Sequence, residues 1–117
     1  MSTVKFVVEL TVANSQLETF KRVAKEMTAI VHENEPDTLS CKWFYHDGDN
    51  KWCLTEKFRD SGAFLKHLDD VSGQMNQIFE MSNVERFEVF GDMPYAARAA
   101  IASFCVKHYT YWGGVVH

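Results

Sequence analysis

The sequence predicts an α+β fold in which strands and helices follow one another in the order β-α-β-β-α-β. Two segments with the apolar spacing of amphipathic helices separate three groups of residues that alternate as strands do. The middle group contains two strands, because an Asp-Gly turn lies between two aromatic-rich runs. This order is the ferredoxin-like arrangement, in which both helices cover one face of a four-stranded antiparallel sheet.

The composition is that of an ordinary soluble protein with one domain. The chain has 117 residues, of which 46% are hydrophobic and 24% charged, which is enough to form its own core. We assign a single domain to 1–117, with its core at 3–92 and an extension at 93–117. The net charge of −4 comes without a basic stripe, which argues against nucleic acid as a partner. We find no signal peptide and no membrane-spanning run, so we expect a cytoplasmic protein without a membrane partner.

The first strand and the first helix occupy residues 3–34. Residues 3–12 alternate between apolar and mixed positions, as a strand does. We expect Ser15 to open the helix and to form a capping box with Glu18. Pro36 ends the helix, because proline disfavours helical geometry at the residue before it.

The central hairpin is predicted at 39–46 and 51–59, with its turn at 47–50. The register puts eight side chains on one face in four pairs: Tyr45 with Trp52, Trp43 with Leu54, Cys41 with Glu56, and Leu39 with Phe58. Glu56 is the only charged residue on this face. A carboxylate removed from water needs a partner or a raised pKa, so Glu56 is a candidate functional residue.

The second helix is predicted to begin with Asp60 or Ser61 as its cap. Gly73 is expected to break or bend it. Its inward stripe follows the spacing i, i+3, i+4, i+7 and contains Phe64, His67, Leu68 and Val71.

The last core strand is predicted at 84–90, and a third helix begins near Pro94. The tail, 103–117, is too aromatic for a solvated terminus, and we expect it to pack over the domain or over a neighbouring subunit. The face of the sheet away from the helices carries Val7, Phe44 and Cys53 among polar groups. A second copy would cover it, which predicts a homodimer with sheet against sheet.

Five short motifs follow one another along the chain: residues 35–40 (EPDTLS), 43–44 (WF), 56–61 (EKFRDS), 63–68 (AFLKHL) and 88–91 (EVFG). Their order and spacing resemble the antibiotic biosynthesis monooxygenase family, within the dimeric α/β-barrel superfamily. The resemblance implies a dimeric enzyme that oxidises quinols or phenols with dioxygen and uses no cofactor. Haem-degrading relatives carry an asparagine in the first strand, and residues 4–12 contain none.

Cofactor-free oxygenation needs a base, a dry aromatic cavity and some stabilisation of the substrate anion. His67 is the candidate base, because its ordinary pKa lies near neutral pH and it faces the sheet; its family position favours the same role. The alternative is a buried histidine with a local hydrogen bond. Glu56 would orient His67 or act as the base itself, or else form an ion pair with a lysine or arginine at the sheet edge.

The candidate substrate-binding residues are aromatic: Trp43, Tyr45, Trp52 and Phe64. Core packing is the alternative for them. No cluster has the spacing of metal ligands, and there is no phosphate loop or dinucleotide fingerprint, so we expect neither a metal nor a cofactor. The predicted function is a cofactor-independent monooxygenase of a small aromatic. A non-catalytic module for ligand binding or stress response, and an isomerase of a small oxygenated metabolite, are the alternatives.

Overall fold

The computed structural model describes residues 3–117. One sheet has the strand order β2-β3-β1-β4-β5, in which all neighbours but the last pair are antiparallel. The elements are β1 (Val4–Val12), α1 (Leu17–Asn34), β2 (Thr38–His46), β3 (Lys51–Phe58), α2 (Ser61–Glu80), β4 (Ser82–Phe90), α3 (Tyr95–Ala100) and β5 (Lys107–Tyr109). This is the predicted α+β, ferredoxin-like class.

The fifth strand is a correction to the predicted four-stranded antiparallel sheet. β5 pairs with β4 in parallel, and the backbone N–H of Gly91 donates to the carbonyl of Tyr109 at 2.9 Å. The strand is only three residues long, so the alternation that marks a strand in a sequence is too short to be seen. Part of the tail therefore packs on its own domain, whereas Trp112 is 97% exposed.

The core lies between the sheet and the two long helices. Every second residue of β1 is buried, and α1 buries an apolar stripe that includes Phe20 and Met27. Burial of one large apolar side chain contributes roughly 1.5–3 kcal/mol. These contacts fix α1 and α2 over the same face of the sheet.

The predicted capping box at the start of α1 does not form. Residues Asn14–Gln16 make a short 3₁₀ turn, and α1 begins only at Leu17 without a side-chain cap. Ser15 lies inside that turn and so cannot serve as the N-cap. Glu18 is instead 3.5 Å from Lys21 on the helix surface.

The hairpin has the predicted register except at its open end. Cys41 pairs with Glu56, and the two pairs closer to the turn are also confirmed. At the other end Thr38, rather than Leu39, lies opposite Phe58, because the register shifts between Thr38 and Ser40. A bulge adds one unpaired residue to a strand, and this one leaves Leu39 exposed.

The second helix begins and bends in ways that position its inward face. The carboxylate of Asp60 accepts a hydrogen bond from the backbone N–H of Ala63 at 2.9 Å, so Asp60 is the cap. The departure from helical geometry occurs at Val71 (φ −114°, ψ 16°) and not at Gly73. Val71 is fully buried while Gly73 is exposed, so the bend lies on the face that packs in the core.

The outer face of the sheet is uncovered in the single chain. Phe44, Phe90 and Tyr109 are each between about one third and one half exposed there. The rings of Phe90 and Tyr109 stack with centroids 4.9 Å apart. These aromatic side chains lie near the two edges of the outer face, with polar side chains such as Lys5 and Glu9 on the strand between them.

Candidate active site

His67 lies between two buried carboxylates. It is on the inward face of α2 and is 1% exposed. Nδ1 is 2.9 Å from Oε1 of Glu35, and Nε2 is 2.7 Å from Oε2 of Glu56. Both glutamates are 4% exposed, so three ionisable side chains share one dry site.

The two carboxylates come from different elements and have further partners. Glu35 follows the last residue of α1, and its Oε1 also accepts a hydrogen bond from the hydroxyl of Thr38 at 2.8 Å. Glu56 lies on β3, and the thiol of Cys41 donates to its Oε2 at 3.7 Å. The predicted pairing of Cys41 with Glu56 across the hairpin therefore becomes a contact within the site.

The two contacts of the imidazole differ in kind. The Nδ1 contact with Glu35 has the geometry of a hydrogen bond. The Nε2 contact with Glu56 is a close ion-pair contact, since Nε2 has no hydrogen-bond partner with the required alignment. Glu35 thus fixes the Nδ1 edge of the ring by a hydrogen bond. The Nε2 edge, which contacts Glu56, can still donate a hydrogen bond to a bound ligand.

The charges of the site follow from this geometry. Burial alone would lower the pKa of His67, because it penalises the imidazolium, but the interactions with Glu56 and Glu35 outweigh this and raise it to about 9. His67 is therefore charged at neutral pH, and the two carboxylates leave one formal negative charge in excess. Burial, and then the neighbouring Glu56, raise the pKa of the Cys41 thiol, which keeps it protonated as a donor.

A cavity of about 220 Å³ lies beside the imidazole, between the sheet and α2. Glu56 and His67 are on its wall, together with the polar side chains of Ser72 and Asn76. The remaining wall is apolar and includes Phe6, Val8, Phe64, Leu68, Phe79, Phe87, Ile101 and Phe104. The arrangement combines a hydrogen-bonding corner with an aromatic chamber, as binding sites for small molecules commonly do.

The C-terminal extension supplies one side of this cavity. Ile101 and Phe104 follow α3 and lie on the wall. The ring of Phe104 contacts both Phe79 of α2 and Phe87 of β4, with centroids 4.7 and 5.4 Å away. The extension thus forms part of the wall of this cavity, against residues of α2 and β4.

Of the six predicted site residues, the structure brings three together: His67, Glu56 and Phe64. Trp43 and Trp52 do not line this cavity. They pack against Phe20 and form a separate hollow between α1 and the hairpin. Tyr45 is 65% exposed and packs on Trp52. Glu56, Trp43 and Trp52 lie on the same face of the hairpin. Phe20 of α1 covers the end of that face near the turn, so the tryptophans there do not reach the cavity beside His67.

Two parts of the site are absent from the sequence-based prediction. From the sequence, Glu35 is the residue between a helix and a proline, a position that is normally exposed to solvent. Only its place in the EPDTLS motif could have pointed to the site. Phe104 lies in a segment without clear periodicity, and nothing in its spacing points to a cavity. Both reach the site only through tertiary packing.

The structure offers no metal cluster in residues 3–117, since no three histidine, cysteine, aspartate or glutamate side chains are grouped there as ligands. Both ring nitrogens of His67 already face carboxylates. Over the same residues, none of the helices has the length and apolarity needed to cross a membrane.

Comparison with known proteins identifies the family. The family model described as antibiotic biosynthesis monooxygenase matches residues 3–72, which is more than half of the chain and includes Glu35, Glu56 and His67. The chain belongs to the antibiotic biosynthesis monooxygenase family. No curated protein matches the sequence.

Solved structures with a similar fold match more of this chain than the family model does. MupZ from Pseudomonas fluorescens is 18% identical with a TM-score of 0.82, and the match covers 98% of this chain and 94% of that one. SnoaB from Streptomyces nogalater, a cofactor-independent oxygenase, is 21% identical with a TM-score of 0.65, over 80% of this chain and 96% of that one. At these identities the likeness shows a shared fold and not a shared activity.

Proposed function

We propose that this protein is a cofactor-independent monooxygenase that oxidises a small quinol-like or phenolic aromatic with dioxygen. The observation that carries the proposal is the close pair of His67 and Glu56 on the wall of a largely aromatic cavity. Membership of the antibiotic biosynthesis monooxygenase family supports it.

The first step is removal of a proton from the substrate hydroxyl. His67 is already charged at neutral pH, so Glu56 rather than His67 is the proton acceptor. Its Oε2 contacts His67 and Cys41, which leaves Oε1 free of those two contacts. The substrate O–H bond breaks, an O–H bond to Glu56 forms, and the imidazolium stabilises the new phenolate.

The oxidation then needs only the phenolate and dioxygen. The anion transfers one electron to dioxygen, and the two radicals combine through a new C–O bond. The proton held by Glu56 passes to the peroxide anion that results and gives a hydroperoxide. Loss of the hydrogen on the same ring carbon and cleavage of the O–O bond then release water and leave a quinone. The apolar wall excludes bulk water from these charged intermediates.

The size and charge of the cavity define the substrate class. An apolar cavity of about 150 Å³ can hold benzene, so about 220 Å³ suits one substituted ring. The described residues that line the cavity include no lysine or arginine, and the three ionisable groups carry excess negative charge. The substrate therefore binds as a neutral hydroxyl donor, and a carboxylate is disfavoured.

The active form in this proposal is a homodimer whose sheets pack face to face. Phe44, Phe90 and Tyr109 are exposed on the outer face, where a second copy would bury them. The helices cover the opposite face, so the interface and the cavity lie on different sides of the sheet.

An isomerase is the second candidate. Glu56 and the imidazolium of His67 place a base and an acid on the same wall, so a proton could move between two atoms of one substrate without dioxygen. A non-catalytic binding module is the third, because a buried ion pair can be purely structural.

An oxygen-electrode screen of single-ring phenols and hydroquinones, without added cofactor, tests the proposal. We expect oxygen uptake, and Glu56→Gln should lower the rate by about 10²-fold, whereas the exposed Glu85→Gln should not change it. Equal turnover without oxygen would identify an isomerase. Thermal stabilisation by a phenol without turnover would identify a binding module.

A further inference from the structure

We propose that Glu35 is a positioning residue, which holds the ring of His67 in the orientation that Glu56 needs. The inference rests on the function proposed above, since it concerns the same site. Glu35 contacts the Nδ1 side of the ring and is not among the residues that line the cavity. It therefore acts through His67 rather than on the substrate.

The orientation follows from the hydrogen bond at Nδ1. Oε1 of Glu35 can only accept, so Nδ1 must carry the proton, and Nε2 points toward Glu56 and the cavity. The same Oε1 also accepts from the hydroxyl of Thr38 at 2.8 Å. Two donors on one oxygen hold this carboxylate in a single position.

The backbone holds Glu35 equally firmly. Its N–H donates to the carbonyl of Val31 at 3.0 Å, and its carbonyl accepts from the N–H of Thr38 at 3.1 Å. The last turn of α1 and the first residue of β2 therefore fix the residue from both sides. A side chain anchored in this way can locate the ring to which it binds.

Stability alone does not account for the second carboxylate. One carboxylate, Glu56, is enough to balance the imidazolium. Oε2 of Glu35 is buried without a hydrogen-bond partner, and an unpaired buried carboxylate oxygen is unfavourable. A residue that carries this penalty is better explained by what it does to His67.

Two carboxylates contact the ring of His67, Glu35 from the end of α1 and Glu56 from β3. Two further titratable groups lie beside them: Cys41 of β2 adjoins Glu56, and Asp70 of α2, which is paired with Lys66 at 2.7 Å, interacts with Glu35 and His67. Burial acts against the charged ring, and the two glutamates act for it. Without the charge of Glu35, the ring should lose its proton at a lower pH.

The test is Glu35→Gln, with Glu33→Gln as the matched control because Glu33 is exposed in the last turn of α1, two residues before Glu35. The titration of His67 is followed by NMR of its ring carbons, and oxygen uptake is followed against pH. In Glu35→Gln we expect the midpoint of His67 to fall by about one pH unit or more. We also expect kcat to fall about tenfold or more with KM nearly unchanged. The alkaline limb of the pH profile of kcat should move to lower pH by as many units as the midpoint of His67.

An unchanged His67 midpoint in Glu35→Gln would overturn the inference, even if the variant were less stable. If that variant does not fold, Thr38→Val removes one of the two donors that hold the carboxylate and retains all charges. It should shift the midpoint in the same direction by less, and an unchanged midpoint would count against the role of Glu35. The titration needs no substrate, so it decides the inference even if no phenol is oxidised.

Discussion

The ring of Phe104 packs on that of Phe79 with their centroids 4.7 Å apart. This contact joins the C-terminal extension to α2 at the wall of the cavity, where Phe104 also packs on Phe87 of β4. The family model ends at residue 72, so this wall is supplied by chain that the family pattern does not include. The shape of the ligand should therefore depend on Phe104 as much as on the residues of the core.

Phe104→Ala should enlarge the cavity and allow two-ring phenols to enter. We expect kcat/KM for a two-ring phenol, divided by that for a one-ring phenol, to rise by about tenfold. Removal of the Phe104 ring leaves space for the second ring of the substrate. Steady-state oxygen uptake on matched substrates measures this ratio. Tyr95→Ala, at a position 86% exposed, should leave it unchanged. If the ratio stays constant in Phe104→Ala, the extension does not set the size of the ligand.

Removal of the imidazole should destabilise the fold strongly. His67→Ala leaves Glu35 and Glu56 buried without the cation that lies between them, which typically lowers the free energy of unfolding by about 3–5 kcal/mol. Urea denaturation measures the difference. His32→Ala, at an exposed position of α1, should change it by less than about 0.5 kcal/mol. A loss below about 1 kcal/mol in His67→Ala would mean that the carboxylates find other partners.

The stability of the protein should fall between about pH 6.5 and 9. The pKa of His67 is raised from 6.5 to about 9 in the folded state, so its stabilisation is complete below pH 6.5 and is lost as the pH rises through 9. The change is on the order of 3 kcal/mol. Because the raised pKa of Cys41 adds a loss near pH 9 and above, urea denaturation is best compared between pH 6.5 and 8. His67→Gln should abolish the slope in that interval, and a wild-type curve without slope would contradict the assignment.

Much of this fold could be predicted from the sequence, because its periodicities are strong. The stripe of α1, the alternation of β1 and the pairing of Cys41 with Glu56 all follow from local rules, and the structure contains them. The inward position of His67 follows from its spacing to Phe64. Glu56, the carboxylate on an apolar strand face, has a buried partner in His67, as its position requires.

The rest of the site depends on distances that spacing does not encode. Glu35 is 32 residues from His67 in sequence, and no periodicity connects a helix end with the middle of another helix. Trp43 and Trp52 line a hollow apart from His67, because the packing of Phe20 against both indoles is decided by the position of α1 over the sheet. In the same way, β5 forms because β4 offers a free edge.

Gly91→Ala should destabilise the protein, and Gly73→Ala should not. Gly91 has a φ of +121°, and a Cβ there would lie 2.6 Å from the carbonyl oxygen of Thr3, so both strain and a backbone clash oppose it. We expect a loss of about 2 kcal/mol or more. Gly73 is helical with open space around it, and alanine there should add about 0.5–1 kcal/mol. Thermal denaturation of the two variants side by side measures the difference. A higher midpoint for Gly91→Ala than for Gly73→Ala would contradict the prediction.

Phe44→Glu should disrupt the proposed dimer. Phe44 is 53% exposed on the outer face, and a charge at that position would be buried between the two sheets. Analytical ultracentrifugation should show a dimer for the wild type and a monomer for Phe44→Glu. Leu65→Glu places the same charge on the exposed side of α2 and should remain dimeric. A monomeric wild type would reject the sheet-to-sheet interface.

The short connection between α1 and β2 restricts how the chain can change in length. Only three residues separate Asn34 from Thr38, and Glu35 is one of them. An insertion there would pull a carboxylate away from its ring, whereas the hairpin tip at 47–50 lies at the opposite end of β2. Engineered tags, labels or grafted peptides therefore belong at that tip, and deletions or insertions beside Pro36 should be avoided.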